Sequence, residues 1–490
     1  MNVGDKKMIE RGGYLPGLSV DEVEWQALYF DGVGSKFEIQ VPLLSEDQVR
    51  TLTTSVRNAA RTKLKAMPVA QIIEIIDCAI NRLLDRNDPY RKKCEEILPL
   101  VTGYDAEMIR LGLTGYLKTF RKPELQKFLV EDFTNPTILD DFQPVPKGGY
   151  ARAYGPDLLT HIWSGNVPGL PIWSMISGLL VKAGNIGKVP SAEPLFAGWF
   201  AEAIAAVAPE ISDCFAVVWW KGGNTRLESI LLEGSEAVLA YGGNDALKSM
   251  RDRTPITTRF LAYGHKVGFG MISKDALDIQ KGKLNAHKAA YDVMRYDQHG
   301  CYSPHVFFVE RGGKVSPQEF AEYLAHELDV FESKYPRRSL SDGDLNNIAA
   351  WRNEEEIKSF DDPAGGLIGS AGKSWSVAFV DHTERLSPSS LNRTIKVVAV
   401  DALAEVVPLI APYKTTLQTV SISASPDQLF NLSNSLALSG VTRVSALGCM
   451  TKPEAGWHHD GRFNLLDLVT LTEIEQSAID GADTLATFVD

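Results

Sequence analysis

An α/β chain with a parallel sheet is what this sequence predicts, and three observations carry the prediction. From residue 148 onward, short apolar runs of strand character alternate with helical stretches, the pattern of βαβ units. The turns that close those runs gather Gly, Asn, Lys and Pro, as at Ser164 to Gly169 and at Gly242-Gly243. With 490 residues, 44% of them hydrophobic, the chain has the length for two or three domains and a large buried core.

In chain order, residues 1–147 read as a leading helical region packed on the domain that begins at residue 148. Leu44-Ser45-Glu46-Asp47 has the form of a helix start, and 48–65 continues it with helix formers. Residues 69–84 place Ile72, Ile73, Ile76, Ala79, Ile80 and Leu83 at helical spacing, and 90–100 and 106–120 extend that character. This part is expected to be a structural arm. Residues 148–265 put strands at 159–163, 185–190, 214–220 and 237–241, separated by helices at 169–183, 194–206 and 225–232, with another at 244–251. Such alternation is the usual frame for a nucleotide cofactor, so this stretch is the expected dinucleotide-binding domain. Residues 266–440, the expected catalytic domain, contribute strands at 268–272, 305–310, 377–380 and 395–400 around a helix at 317–334. They continue with a strand at 417–422 and a helix at 427–439 that Gly440 stops, and the Arg337-Arg338 to Asp344 stretch reads as a solvated loop. Residues 441–490 add a strand and a tail assigned to oligomerisation.

Charge and cysteine usage narrow the function classes. A formal net charge of -12 argues against a general binder of nucleic acid or membrane surface, since neither anion is drawn to that field. Cys78, Cys94, Cys214, Cys301 and Cys449 form no CxxC pair and no metal-ligand spacing, so no metal and no disulfide framework is expected and a reducing cytoplasm fits. Residues 1–14 alternate charge and glycine without an apolar stretch, against a secretory signal. The most apolar window, 167–183, is broken by Pro168, Pro171 and Lys182, so no membrane span is expected.

Four places carry chemistry. Cys301, in Asp297-Gln298-His299-Gly300-Cys301-Tyr302-Ser303-Pro304, follows a glycine and precedes an apolar strand. A thiolate there can attack a carbonyl carbon and hold the acyl group as a thioester. Gly242-Gly243 ends a strand and precedes a helix, where backbone without Cβ can approach a pyrophosphate. Lys188, with Ser191 and Glu193, lies at another strand end and can bond ribose hydroxyls or, through the lysine, a 2′-phosphate. Asn166, in the turn opened by Ser164, can donate its amide to a developing oxyanion. Each has a plain structural alternative: a buried thiol, a tight turn, a surface lysine. Cys449 is the rival thiol and reads as a packing residue, and His458-His459-Asp460 reads as a polar loop.

Taken in order, an Asn-containing turn, a Lys-bearing strand end, a Gly-rich turn and a Cys resemble the aldehyde dehydrogenase superfamily. The segments 148–156 (GGYARAYGP), 163–169 (WSGNVPG), 182–185 (KAGN) and 297–301 (DQHGC) resemble more closely the LuxC-type acyl-CoA reductases, which include the fatty-acid reductase of bacterial luminescence. The resemblance implies an aldehyde dehydrogenase-like fold, with a Rossmann-type cofactor domain and an α/β catalytic domain. It makes Cys301 the acyl-accepting nucleophile, with Asn166 and the Cys301 backbone N–H as oxyanion donors. Lys188 matches the adenosine-ribose lysine and Gly242-Gly243 the pyrophosphate turn. Ser164, Ser191 and Glu193 are carried over as cofactor-binding, with two extra residues between Lys188 and Glu193. Glu405 matches the carboxylate on the nicotinamide ribose.

Acid-forming members of the superfamily use a glutamate before a Gly-Gly turn to activate water, and here Ala262 stands in its place. A thioester spared from hydrolysis can receive hydride. The expectation is NADPH-dependent reduction of a long-chain fatty acyl-CoA, or of an acyl group delivered by a partner acyl-protein synthetase, to the fatty aldehyde. Oxidation of an aldehyde to acyl-CoA by the same residues, and a non-catalytic subunit of a fatty-acid reductase complex, are the alternatives. The resemblance also implies a homo-oligomer.

Overall fold

The computed structural model describes residues 9–32, 35–362 and 364–486; residues 1–8, which hold much of the charge-alternating leader, lie outside the described residues. Two compact units divide the chain. The first comprises Met1–Cys94, Tyr116–Tyr263 and Glu454–Asp490, the second Glu95–Gly115 and Gly264–Pro453.

The first unit opens with a three-stranded sheet in which Glu24–Gly32 and Ser35–Leu43 form an antiparallel hairpin and Ile9–Arg11 pairs alongside. The expected arm is therefore not helical throughout. Phe37, Ile39 and Val41 repeat at period two and all are buried, which is the strand signal in that stretch. The helix Glu46–Thr62 starts where a capping box permits: the Ser45 hydroxyl accepts from the Gln48 N–H at 3.2 Å, and the Gln48 side chain accepts from the Ser45 N–H at 2.9 Å. Val69–Leu84 buries the isoleucine face that its spacing predicts.

The central sheet of this unit has five parallel strands: β1 (Leu158–Ile162), β2 (Gly184–Lys188), β3 (Phe215–Val218), β4 (Ala237–Tyr241) and β5 (Arg259–Tyr263). Helices α1 (Leu170–Leu180), α2 (Phe196–Val207), α3 (Thr225–Gly234) and α4 (Asn244–Arg253) connect them. The order β5-β4-β1-β2-β3 reverses direction between β1 and β4. At such a switch point the connections leave in opposite directions and open a crevice at the carboxyl ends of the two strands. The turns that begin there are Ser164 to Gly169 and Gly242-Gly243. A separate small sheet pairs Thr470–Ile474 with Tyr150–Tyr154, which pairs in turn with Gln143–Pro144.

The second unit is built on a seven-stranded sheet. Its elements are β6 (Val267–Ile272), α5 (Ile279–Met294), β7 (Pro304–Glu310), α6 (Pro317–Lys334), α7 (Asp342–Ser359) and β8 (Gly366–Ile368). After these come β9 (Ser376–Val380), β10 (Thr394–Val400), β11 (Leu417–Ser423), α8 (Pro426–Leu438) and β12 (Arg443–Ser445). The order is β8-β9-β10-β7-β6-β11-β12, parallel except for the β8–β9 pair. Phe269, Met271, Val306, Phe308, Val398 and Val420 fill its core. One expectation fails: the charged stretch ending at Asp344 is not a loop throughout, because Asp342 begins an 18-residue helix. The Asp344 N–H donates to the Ser341 hydroxyl at 3.1 Å and the Asp344 carboxylate accepts from the Ser341 N–H at 3.1 Å, so these charges cap a helix end.

Candidate active site

Cys301 sits in the connection between α5 and β7, and that connection is strained. Tyr296, Asp297 and Gln298 have φ of 51°, 48° and 66°, three consecutive non-glycine residues in the left-handed region. Each such residue costs on the order of 1 kcal/mol, so the surroundings must hold them. A second left-handed run, Leu391, Asn392 and Arg393 at 63°, 52° and 68°, does so. The Asn392 N–H donates to the Asp297 carbonyl at 2.9 Å, and the Arg393 Nε donates to Asp297 Oδ1 at 2.6 Å. Arg338 N–H reaches Asp297 Oδ2 at 3.0 Å. Gln298 Nε2 donates to the carbonyls of Pro304 and Thr394 at 2.8 and 2.9 Å, which pins the far side of the cysteine turn to the sheet.

The turn itself closes with the Ser303 N–H donating to the Gly300 carbonyl at 2.9 Å. Glycine is needed at 300 because a Cβ there would run into the Tyr302 ring. Cys301 is half-buried, and Gln418 Nε2 on β11 donates to its Sγ at 3.5 Å. Thr419 Oγ1 donates to Gln418 Oε1 at 3.2 Å, at the other end of the same amide. Arg443 on β12 donates to the carbonyls of Cys449 and Met450 at 2.8 and 2.7 Å. Burial holds its guanidinium below the ordinary arginine pKa, opposed by the Tyr302, Asp292 and Cys301 side chains in whose field it lies. Neither Gln418 nor Arg443 carries a signal in the sequence that marks it as a site residue. His299 accepts or donates at 3.0 Å with Asn392 Oδ1, and burial followed by the Arg338 charge lowers its pKa, as expected of a satisfied loop histidine. Cys449, expected to be a packing residue, is exposed, because it lies in the turn after β12 and not on the strand.

Asp292, on α5, is fully buried, with Oδ2 accepting from the Gly448 N–H at 2.7 Å and no hydrogen-bond partner for Oδ1. Burial pushes its pKa from 3.8 to about 7 against the backbone donors of the 448–451 turn. The folded protein then binds a proton that the unfolded chain releases, so stability falls as pH rises from about 4 to about 7. Asp292→Asn is expected to remove that slope. Thermal melts should show the variant close to wild type at about pH 4 and more stable at about pH 8, by up to about 4 kcal/mol.

On the first unit, Ser164 Oγ donates to Oδ1 of the exposed Asn166 at 2.6 Å. Lys188 ends β2, nine-tenths buried, and burial draws its ammonium below the usual lysine pKa against the favourable field of Glu228. Ser191 Oγ accepts from the Trp219 indole at 3.1 Å. Glu193 is buried, and its Oε1 accepts from the N–H groups of Leu195 and Phe196 at 2.8 and 2.9 Å, capping α2. Gly243 precedes α4 as its cap residue, in extended conformation. Glu405, on the second unit with Cys301, is half-buried and accepts from the Asp401 N–H at 3.3 Å. Ala262 lies on β5 and brings no carboxylate.

A dinucleotide fits the turn after β4. A Cβ built on Gly242 meets no atom within 4 Å, and its φ is not in the left-handed region, so neither packing nor backbone strain within the chain calls for glycine there. The open space lies at the switch point, over the start of α4, where backbone N–H groups favour an anion.

A parallel sheet with bare backbone at its switch point, together with a separate sheet that presents a braced cysteine, defines an aldehyde dehydrogenase-type fold. Solved structures agree: aldehyde dehydrogenase 21 from Physcomitrella patens superposes with a TM-score of 0.74 at 11% identity, covering 96% of this chain and 98% of that one. The NADP-dependent glyceraldehyde-3-phosphate dehydrogenase from Bacillus halodurans superposes at 0.69 with 13% identity, covering 92% and 96%. The chain belongs to the acyl-CoA reductase (LuxC) family, which it matches over residues 64–471. Among its relatives, the long-chain acyl-protein thioester reductase of Aliivibrio fischeri is 26% identical over 399 residues, 80% of this chain and 79% of that protein. The reductase of that name from Photorhabdus luminescens is 24% identical over 446 residues, 89% and 87%.

Proposed function

We propose that this chain reduces a long-chain acyl group carried as a thioester to the fatty aldehyde, with Cys301 as the acyl carrier and NADPH as the reductant. The observation that supports it most is the Cys301 turn: a half-buried thiol on a braced backbone, with an amide donor on its sulfur, in a chain of this family. The relatives are named for acting on acyl-protein thioesters. For this chain the donor is a long-chain acyl-CoA or an acyl group handed over by a partner acyl-protein synthetase.

In this reading the Cys301 sulfur bonds to the carbonyl carbon of the donor, and the donor's thiolate leaves. The donors this reading assigns to the oxyanion, from the family resemblance, are the backbone N–H of Cys301 and the Asn166 amide. A reduced nicotinamide, when bound, supplies the hydride. The tetrahedral carbon then expels Sγ, the aldehyde departs and Cys301 is regenerated as a thiolate. With Ala262 in place of a carboxylate, no base at that position turns water onto the thioester. A bound dinucleotide would be held by Gly242-Gly243 at the pyrophosphate, by Lys188 and Ser191 at the adenosine ribose and by Glu405 at the nicotinamide ribose, with Ser164 among its further contacts. Two features favour NADPH over NADH: the Lys188 ammonium can pair with a 2′-phosphate, and the Glu193 carboxylate is engaged in capping α2. Gly242→Val is expected to change stability by less than about 0.5 kcal/mol, since the added side chain enters open space, while abolishing the thermal shift on adding NADPH.

A cytoplasmic location and a homo-oligomeric state are part of this reading; the five cysteines form no disulfide, and among the described residues no helix is long and apolar enough to cross a membrane. The test is intact-protein mass after incubation with a long-chain acyl-CoA and, separately, with an acyl-protein. An acyl adduct that is discharged as aldehyde on adding NADPH is the expected result. No adduct from either donor would overturn the reading.

A further inference from the structure

A cysteine that carries an acyl group through a reduction is used twice as a thiolate. In the first half-reaction its sulfur lone pair forms the bond to the acyl carbon while the donor's carbon–sulfur bond breaks and the donor leaves as a thiolate that takes a proton from water. In the second, hydride adds to the thioester carbon, and the resulting alkoxide collapses to the aldehyde with the Sγ–carbon electrons returning to sulfur. A hydrogen-bond donor fixed on Sγ therefore assists both halves, making the nucleophile available and then improving it as a leaving group.

We propose that Gln418 is a catalytic residue of this protein, whose amide N–H holds the Cys301 sulfur as a thiolate in both half-reactions. This rests on the reading of Cys301 as the acyl carrier. Gln418 is fully buried, its Nε2 donates to Sγ at 3.5 Å, and its carbonyl oxygen accepts from Thr419 Oγ1 at 3.2 Å. Its main-chain carbonyl accepts from the Thr442 N–H at 2.9 Å, tying this point of β11 to the residue before β12. Arg443 comes directly after and places a guanidinium in the same field as the thiol. A buried glutamine facing an ordinary packed thiol would gain little, whereas a donor to a charged sulfur is worth about two to three times a neutral hydrogen bond.

The test measures the thiol itself, without acyl donor or cofactor. Alkylation of Cys301 by iodoacetamide is followed across pH by peptide mass in wild type, Gln418→Met and Gln418→Glu. Met keeps the shape and removes the donor; Glu keeps the shape and sets a carboxylate against the sulfur. The midpoint should rise by about one to two pH units in Met and further in Glu, with alkylation at neutral pH roughly ten- to a hundred-fold slower. Wild-type midpoints in either folded variant overturn the proposal; should one variant not fold, the other reads the same shift in the same direction. Because no acyl donor is present, that failure leaves the proposed function standing, and a failure of acylation on wild type leaves this measurement intact.

Discussion

Cys301→Ala is expected to lower aldehyde formation by at least about 10⁴-fold and to leave no acyl adduct, while unfolding as wild type does. Loss of a nucleophile removes the covalent route entirely, and what remains is binding and oxyanion stabilisation around a site with nothing to attack. The fold should register the change little, because Cys301 is only half-buried and Ala removes a single atom. Of the other thiols, Cys78 is exposed on the helix Val69–Leu84 of the first unit, away from the cysteine turn in sequence. Cys94 and Cys214 are buried on the first unit, and burial with the adjacent Asp213 pushes the Cys214 thiol up to about 12. Cys449 is the demanding control, since it is exposed on the same unit as Cys301 and its carbonyl is held by Arg443. Cys449→Ala should acylate and turn over normally. An adduct that disappeared in that variant and persisted in Cys301→Ala would move the acyl carrier to the turn after β12.

The parts of the fold that can be read from the sequence are those with a local cause. The strands at β6, β7, β9 and β10 are built on apolar runs such as Val306 to Val309 and Val397 to Val400, and α6 has Ser316 and Glu319 at its start, a capping box visible in the letters. The same box opens α7 at Ser341 and Asp344, but there the surrounding arginines and aspartates suggest a solvated loop, and composition outweighs the cap. The hairpin at Glu24–Gly32 and Ser35–Leu43 is absorbed into the helical arm because its period-two pattern is short and the long isoleucine-rich helix beside it dominates.

The candidate site divides along the same line. Gly300-Cys301 before an apolar strand, and Gly242-Gly243 after one, are neighbours in sequence and can be noticed. Gln418 lies 117 residues from Cys301 and Arg393 lies 96 from Asp297, so the contacts exist only because β11 and the residues before β10 are brought to the cysteine turn by the sheet order. Glu193 shows the converse. A carboxylate near Lys188 suggests a ribose contact, yet its position two residues before Leu195 sets it over the start of α2, where capping claims one of its oxygens.

Arg393→Met should lower the unfolding free energy by about 3–5 kcal/mol in a denaturant titration, the expected cost of leaving a buried charge without its partner. The guanidinium is fully buried and donates to three acceptors: Asp297 Oδ1 at 2.6 Å, Glu332 Oε2 at 2.5 Å and the Tyr335 carbonyl at 2.7 Å. Removing it strands the Asp297 carboxylate in the interior, with the Arg338 N–H at 3.0 Å still on its second oxygen. The damage should extend to chemistry, because Asp297 is the middle residue of the left-handed run that leads to Cys301. Adding Asp297→Asn to Arg393→Met separates the two contributions. Asn tolerates a φ of 48° as Asp does and carries no charge, so the double variant should recover roughly 1–3 kcal/mol over the single one. If it recovers nothing, the guanidinium braces the turn through Glu332 and Tyr335, and the charge on Asp297 is incidental. If stability returns while acylation of Cys301 does not, the ion pair sets the aim of the sulfur beyond what it adds to the fold.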